Sequence, residues 1–299
     1  MKILICITFH YNKERLKYLK KVIKGFINIT KYIDIYIVTN THKEYELSKI
    51  KQCYPFLDKT KKIITKSFVV KGNPHNLIMC HKIFLNNEFI KYNNFTHFLH
   101  TEDDMLFNKY NFNYWLKYRK LLFKYKNVPS FFRVERVKQK SKYKSTDVGF
   151  RILWSLIPKR LINNYFFINM PNPSQSNYLV DKNLAREMLI FPPNIKRHFY
   201  LNSNIGIRET IDIGPIFSEV PKFFISKNLV PIHQKSKKIL KDCLIEHLPA
   251  NYESNINSNL GKINIDKLIY YIPLPNGTFL RNIKYYLYVQ IINVIKKIF

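Results

Sequence analysis

The sequence predicts an α/β fold in which helices cover both faces of a mostly parallel sheet. Strand patterns and helix patterns alternate through the first hundred residues, which is typical of a parallel sheet. The strand candidates are continuous apolar runs, as expected for strands that are buried on both faces. Hydrophobic residues make up 46% of the 299 residues, which is enough for a sizeable core.

The elements of this first part follow from their local patterns. Residues 3–7 are an uninterrupted apolar run, and the helix that follows has apolar residues at helical spacing from Leu16 to Phe26. Asn73 and Pro74 open the third helix as an N-cap residue and a proline at the first helical position. The predicted strands are 3–9, 33–39, 62–70 and 95–100, and the predicted helices are 13–26, 44–51 and 74–89.

Three of the predicted strands end in polar residues. The polar stretches are Thr8–Asn12, Thr39–His42 and His100–Glu102. Parallel strands bring their carboxyl ends to one edge of the sheet, where ligands bind in folds of this kind. A solvated loop explains any one of these stretches, whereas three together favour a binding site.

The third stretch continues into an acidic triplet, Glu102-Asp103-Asp104, in a chain with 50 Lys and Arg and only 20 Asp and Glu. Adjacent carboxylates repel one another unless a cation lies between them. Mg²⁺ and Mn²⁺ prefer oxygen ligands and complete their coordination with substrate phosphates. The triplet therefore indicates a site for a metal and a diphosphate. The alternative is a helix N-cap, where acids are also stabilising.

The pattern is less regular from about residue 110 to 240. It predicts helices at 114–125 and 182–189, a strand at 131–137 and a loop at 171–177. Arg133 and Glu135 lie on the same side of the predicted strand. The pattern of the last twenty residues, 280–299, predicts a basic, aromatic, amphipathic helix. Such a helix suits an anionic membrane surface, and docking on the body of the protein is the alternative.

Composition and missing motifs exclude several classes of protein. The net charge of +30 favours anionic partners such as nucleic acid, anionic lipid or phosphorylated substrates. The sequence has no GxGxxG or GxxxxGK[ST] motif, which excludes a dinucleotide-binding fold and a P-loop NTPase of the usual kind. It also has no GxSxG motif of a hydrolase nucleophile elbow and no HExxH motif. Four scattered cysteines without CxxC spacing indicate a reducing compartment. We expect no signal peptide and no transmembrane helix, because no apolar run is long enough.

The ordered set of motifs resembles the GT-A glycosyltransferases. Glu102-Asp103-Asp104 looks like their D-x-D metal motif, with Glu as the first acid, and Tyr11-Asn12-Lys13-Glu14-Arg15 looks like their first nucleotide-binding loop. The resemblance spans residues 1–255, with a nucleotide-binding half at 1–105 and an acceptor-side half at 106–255, followed by a basic tail at 256–299. It implies a GT-A fold, Rossmann-like, with a basic carboxyl-terminal helix.

The same resemblance implies a metal-dependent, hexosyltransferase-type enzyme for polysaccharide biosynthesis. It would move a sugar from a nucleotide-sugar donor to a glycan or lipid-linked acceptor, with Mn²⁺ or Mg²⁺ as cofactor. The implied catalytic base is Glu209, whose alternative role is an ion pair. The implied metal ligands are Glu102, Asp104 and His247. The expected donor contacts are Thr8, His10, Asn12, Arg15, Asn40, Lys82 and Asp103, and the expected acceptor contacts are Trp115 and Arg208.

Two other functions remain open at this point. One is a basic nucleic-acid-binding protein or a metal-dependent nuclease, although lysines spread along the chain disfavour nucleic acid as a partner. The other is a catalytically inactive protein of the same fold that binds membranes. We expect a cytoplasmic protein, with attachment to the inner face of the membrane as a further expectation.

Overall fold

A computed structural model describes residues 1–55, 58–92, 94–137, 142–170, 177–190 and 219–271. The chain divides into two units. The first contains the described residues between 1 and 112 and between 176 and 194, and the second contains the other described residues. The architecture is mixed α/β, as the sequence predicts. Within the described ranges, no helix is both long and apolar enough to cross a membrane.

The strands and helices are numbered in chain order. The strands are β1 (Lys2–Phe9), β2 (Tyr32–Thr39), β3 (Lys61–Ser67), β4 (His97–Glu102), β5 (Met105–Leu106), β6 (Val128–Pro129), β7 (Phe132–Arg136), β8 (Tyr143–Ser145), β9 (Ile152–Leu153), β10 (Lys159–Ile162), β11 (Tyr165–Ile168), β12 (Asn177–Asp181), β13 (Asn228–His233), β14 (Leu244–His247) and β15 (Ile269–Tyr270). The α-helices are α1 (Leu16–Phe26), α2 (Glu44–Lys51), α3 (His81–Phe84), α4 (Lys109–Phe123), α5 (Lys182–Ile190) and α6 (Asn251–Ser254).

The first unit is built on a five-stranded sheet in the order β12-β4-β1-β2-β3. Strands β4, β1, β2 and β3 are parallel, and β12 adds an antiparallel edge. Consecutive β1 residues Ile3, Leu4 and Ile5 are at most 1% exposed, so both faces of this strand are covered. The predicted mostly parallel sheet is therefore confirmed.

Helix α1 joins β1 to β2 and buries one apolar face, formed by Leu19, Val22, Ile23 and Phe26. A 3-10 turn at Lys13–Arg15 precedes it, so the predicted helix at 13–26 begins as 3-10 structure. Gly25 lets the backbone after the acidic triplet approach this helix. A Cβ at this position would lie 2.5 Å from the carbonyl oxygen of Phe107, so a larger residue would push that segment away.

Two predicted elements differ from the structure. The helix predicted at 74–89 is a 3-10 segment (Pro74–Cys80), a single turn of α-helix (α3) and a π segment (Leu85–Lys91). Asn86 and Asn87 in the π segment have low helix propensity, which weakens the regular ladder. The strand predicted to end at His100 continues to Glu102, because Glu102 stays in register with Thr8 of β1.

The second unit contains smaller sheets. One has the order β10-β11-β13-β6, a second contains β14, β7 and β8, and a third pairs β15 with β9. The predicted strand at 131–137 corresponds to β7, and Arg133 and Glu135 share a side as predicted. The predicted helix at 182–189 is α5 of the first unit. Several predictions fall outside the described residues. They concern the predicted helix at 280–299, Arg208, Glu209 and most of the predicted loop at 171–177.

Candidate functional site

The carboxyl ends of β1, β2 and β4 meet at one edge of the first unit's sheet, as the sequence predicts. Thr8 near the end of β1 is in register with both Val38 of β2 and Glu102 of β4. The Thr8 hydroxyl lies 3.0 Å from Nε2 of His100, which ties β1 to the strand that carries the acids. The polar strand ends therefore form one continuous edge.

A guanidinium group offsets part of the negative charge of the acidic turn that follows β4. Arg15 Nε donates to Asp103 Oδ2 at 2.8 Å, and Arg15 Nη2 donates to Asp103 Oδ1 at 2.7 Å and to Asp104 Oδ2 at 2.8 Å. The two carboxylate side chains are 4% exposed, whereas Arg15 is 33% exposed. The cation that adjacent carboxylates require is therefore supplied, in this structure, by the first loop.

The electrostatics of this turn are set by burial. Burial raises the pKa of the Asp103 carboxyl to about 7, against the opposing effect of the Arg15 hydrogen bond, and the neighbouring charge of Asp104 adds to the rise. For Arg15, burial opposes the charged form, but hydrogen bonds and charge attraction from the two aspartates outweigh it and raise the pKa. Carboxylates held this close together in a buried turn favour any additional cation.

Two asparagines shape the loop between β1 and α1. Asn12 Oδ1 accepts a hydrogen bond from the Glu14 amide at 2.8 Å, which caps the 3-10 turn that carries Arg15. Asn40, directly after β2, accepts a hydrogen bond from the Tyr11 amide at 2.9 Å. The polar ends of β1 and β2 are thus linked by side-chain hydrogen bonds, and the turn that holds Arg15 is fixed.

A histidine stack lies beneath this edge. His81 and His100 are both buried, and their rings stack with centroids 3.8 Å apart. His81 Nδ1 donates to the carbonyl of Ile78, so Nε2 accepts a hydrogen bond from the Tyr178 hydroxyl. Burial lowers the pKa of His81 well below its usual value, and the proximity of His100 adds to the effect. His81 is therefore a neutral core histidine.

The carboxylates at the acidic turn have the chemistry of a divalent metal site. Glu102, Asp103 and Asp104 offer oxygen ligands, which Mg²⁺ and Mn²⁺ prefer. Among the described residues, no group of three or more His, Cys, Asp or Glu side chains is arranged to hold a metal ion. Mg²⁺ commonly binds through one or two carboxylates together with waters and substrate phosphates, so this donor set fits a shared metal-diphosphate site.

The second unit contains its own buried acid–histidine pair. Glu135 of β7 and His247 of β14 are on paired strands, and His247 Nδ1 donates to Glu135 Oε1 at 2.7 Å. The same carboxylate accepts the backbone amides of Tyr252 at 3.2 Å and Glu253 at 2.6 Å. Since Nδ1 carries the proton in this contact, the neutral form of His247 has its lone pair on Nε2. A ring held this way is suited to bind a metal or accept a proton.

Arg133 and Asp147 form a second ion pair in this unit. Asp147 Oδ2 accepts the Arg133 amide at 2.8 Å, and Asp147 Oδ1 accepts Arg133 Nε at 3.0 Å. The Asp147 side chain is fully buried. Burial raises the pKa of Asp147 to about 6, against the opposing charge and hydrogen bonds of Arg133.

The structure brings together some of the predicted site residues and separates others by unit. It joins Arg15 to Asp103 and Asp104. The remaining predicted site residues of the first unit are Thr8, His10, Asn12, Asn40, Lys82 and Glu102, and those of the second unit are Trp115 and His247. Trp115 is 1% exposed, so packing in the core accounts for it.

Sequence reasoning missed three residues. Tyr178 donates to Nε2 of His81, Glu135 orients His247, and Asp147 pairs with Arg133. The shared parity of Arg133 and Glu135 on a strand is a signal for a paired polar face, but it does not identify their partners. Tyr178 and Asp147 lie in irregular sequence, where spacing carries no such signal.

The comparisons with known proteins match this chain to solved structures only. No protein-family model and no curated protein sequence matches the chain. Among solved structures, a crystal structure of S. aureus TarS 1-349 is similar over 72% of this chain, with 13% sequence identity and a TM-score of 0.38. The chain covers 56% of that TarS structure.

Proposed function

We propose that this protein is a GT-A-type glycosyltransferase that uses a nucleotide-diphosphate sugar and a divalent cation. The observation that carries the proposal is the acidic turn at the carboxyl edge of a parallel sheet, with Arg15 bridging Asp103 and Asp104. Ligands in folds of this kind bind beyond the carboxyl ends of the strands. The turn thus combines oxygen ligands for a metal with a guanidinium that can bind phosphate.

The first loop and the strand ends would hold the donor. Asn12 and Asn40 keep the loop in place, and Arg15 lies one-third exposed at the acidic turn. When the donor arrives, the guanidinium can form charge-assisted hydrogen bonds with the diphosphate. Thr8, His10 and Lys82 remain proposed donor contacts from the same unit.

Glu102 and Asp104 would hold Mn²⁺ or Mg²⁺ together with the donor phosphates. A metal bound there supplies charge stabilisation for the departing nucleoside diphosphate. Arg15 would add a second positive charge on the same leaving group. His247 remains a proposed third ligand, and Glu135 fixes its ring so that Nε2 carries the lone pair.

The proposed general base is Glu209, with Arg208 beside the acceptor, and both lie outside the described residues. A base is needed to remove the proton from an attacking acceptor hydroxyl in an inverting transfer. Glu209→Gln should therefore lower transfer by roughly 10²–10⁴-fold while nucleotide binding is retained. Unchanged turnover of this variant, measured as release of nucleoside diphosphate, would leave Glu209 as an ion-pair residue.

A thermal-shift screen of nucleoside diphosphates, with and without Mn²⁺, tests the proposal. A ligand present at 100 times its Kd should stabilise the fold by about 2.7 kcal/mol. For a unit of this size that corresponds to a rise in Tm of about 5–10 °C. The rise should require Mn²⁺ and should disappear in Asp104→Ala and Glu102→Ala.

The control is Asp58→Ala, which removes an exposed acid of the same unit that pairs with Lys61. This variant should respond to nucleotide and Mn²⁺ like the wild type. If Asp104→Ala retains the Mn²⁺-dependent rise, the metal assignment is wrong. Metal-dependent cleavage of nucleic acid by the wild type, without any effect of nucleoside diphosphates, would support the nuclease alternative instead.

A further inference from the structure

Two turns of the second unit lie side by side and present basic and aromatic side chains. The first turn, Phe123–Lys126, ends helix α4, and the second is Pro221–Phe224. Arg160 packs against both, with its guanidinium 4.2 Å from the ring centroid of Tyr125 and 5.4 Å from that of Phe224.

Two further contacts join the first turn and the residues that flank both turns. Lys126 Nζ lies 3.0 Å from Glu219 Oε2, and the backbone of Val128 pairs with that of Lys227 at 2.8 Å. The two turns are therefore held next to each other by side-chain and backbone contacts within one unit.

Each turn exposes one phenylalanine. Phe123 is 57% exposed and Phe223 is 72% exposed. The exposed lysines around them are Lys120, Lys124, Lys126 and Lys222. We call these six residues the basic turn surface. Large apolar side chains that are exposed amid cations are typical of proteins that lie on anionic lipid.

Three residues at or beside this surface have a backbone conformation that is unfavourable for residues other than glycine. Phe223 has φ +71°, Lys126 +56° and Glu219 +45°, in the left-handed region that favours glycine. Phe223 occupies the third position of a turn closed by a hydrogen bond from the Phe224 amide to the Pro221 carbonyl at 3.2 Å. A bulky, exposed phenylalanine at such a position costs stability, and strain of this kind concentrates at functional sites.

We propose that the basic turn surface docks the protein on an anionic membrane. The phenylalanines would enter the boundary between lipid headgroups and acyl chains, and the lysines would contact the anionic headgroups. This surface contains no residue of the tail at 280–299, and the proposal does not depend on the proposed transferase function.

The test is co-sedimentation of the full chain with vesicles of phosphatidylcholine alone and of phosphatidylcholine with phosphatidylglycerol, at low and high salt. The wild type should bind only the anionic vesicles, and less at high salt. Phe223→Gly should lower the partition coefficient roughly tenfold, because an apolar side chain is lost from the boundary. The double variant Lys124→Gln/Lys222→Gln should lower it roughly 25-fold, at about fivefold per lysine.

The Tm of the Phe223→Gly variant shows whether Phe223 is a docking residue or a packing residue. Phe223→Gly should leave the Tm unchanged or raise it by about 2 °C, because glycine relieves the positive φ. Two matched controls should bind like the wild type. One is Ile256→Ser, which removes an apolar residue that is 92% exposed, and the other is Lys59→Gln/Lys62→Gln, which removes two exposed lysines of the first unit.

Several results would overturn the proposal. The first is a wild type that does not bind anionic vesicles, or a Phe223→Gly variant that binds them unchanged. A fall in Tm together with lost binding would make Phe223 a packing residue. A charge control that weakens binding as much as Lys124→Gln/Lys222→Gln would reduce the effect to overall charge. Binding of single-stranded nucleic acid that depends on Phe223, without vesicle binding, would assign the surface to nucleic acid.

Discussion

The two units each contain a buried arginine–carboxylate contact, and the two contacts differ in how completely they are closed. In the first unit, Arg15 is 33% exposed and its one guanidinium group serves both Asp103 and Asp104. In the second unit, Arg133 is 12% exposed and its Nε donates to one oxygen of the Asp147 carboxylate, whose other oxygen accepts the Arg133 backbone amide. The first contact is partly open to solvent at Arg15 and joins two carboxylates, whereas the second is more enclosed.

This is the difference that we expect between the proposed binding site and a structural ion pair. A shared, partly exposed guanidinium can be exchanged for another cation when a ligand arrives, because water reaches it. An enclosed pair cannot lose one partner without leaving a buried charge, which is strongly destabilising. The difference therefore supports the proposal that the acidic turn binds the ligand, and it favours a structural role for Arg133 and Asp147.

The largest expected effect is on stability, in the second unit. Arg133→Met should lower the free energy of unfolding by about 3 kcal/mol, since Asp147 loses its buried partner. Urea unfolding measures this loss, and Mn²⁺ should not restore it. Arg136→Met on the same strand breaks an exposed pair with Glu246 and should cost less than about 1 kcal/mol. Equal losses in the two variants would show that the Arg133 pair is no more enclosed than a surface pair.

Arg15→Met should lower the free energy of unfolding by about 2 kcal/mol, which is less than Arg133→Met, because the Arg15 guanidinium is partly exposed. Here Mn²⁺ should restore the lost stability, since a divalent cation can replace the guanidinium between the two carboxylates. Lys24→Met, an exposed change on helix α1, which follows the turn that carries Arg15, should neither lose stability nor respond to Mn²⁺. If Mn²⁺ also restores Arg133→Met, or restores neither variant, the contrast between the two contacts fails.

Lowering the pH should change the stability of the two units in opposite directions. The expected change is smaller than that of the two arginine variants. Burial lowers the pKa of His97, in the first unit, to about 4, against the opposing charge of Asp181. The unfolded chain then binds the proton more readily, so stability is complete above about pH 6.5 and is lost as the pH falls towards 4. Asp147 of the second unit has a raised pKa, so its folded form holds the proton more readily and acid favours it.

The histidine contribution should amount to about 1 kcal/mol between pH 6.5 and 5, after allowance for the partial exposure of His97. The urea midpoint of the wild type should fall as the pH is lowered over this range. The urea midpoint of His97→Asn should fall less steeply. His42→Asn, an exposed change in the same unit, should follow the wild type. A steeper fall in His97→Asn than in the wild type would contradict the sign of this argument.

Most of the strands and helices of the first unit could be predicted from the sequence, because each is marked by a pattern within its own residues. Apolar runs define β1, β2 and β4, and the 3.6-residue spacing defines α1. The helix predicted at 74–89 was wrong in type over most of its length, because neighbouring packing and weak helix formers override an apolar periodicity. Periodicity shows which face is buried and does not distinguish α from 3-10 or π geometry.

The candidate site could be predicted only in part. The position of Glu102, Asp103 and Asp104 at a strand end follows from the apolar run before them. The pairing of Asp103 with Arg15, 88 residues earlier, depends on the adjacency of β1 and β4, which no local pattern encodes. The contact between Glu135 and His247 spans 112 residues in the same way.

Mn²⁺ binding to the acidic turn, followed by electron paramagnetic resonance in the presence of a nucleoside diphosphate, tests the central claim most directly. Free aqueous Mn²⁺ gives a strong signal that decreases on binding, so the bound fraction can be counted. The wild type should bind about one Mn²⁺ per chain, and Asp104→Asn should weaken binding roughly tenfold or more, while Asp58→Asn binds normally. Equal Mn²⁺ binding by the wild type and Asp104→Asn would contradict the assignment of the metal-diphosphate site to this turn.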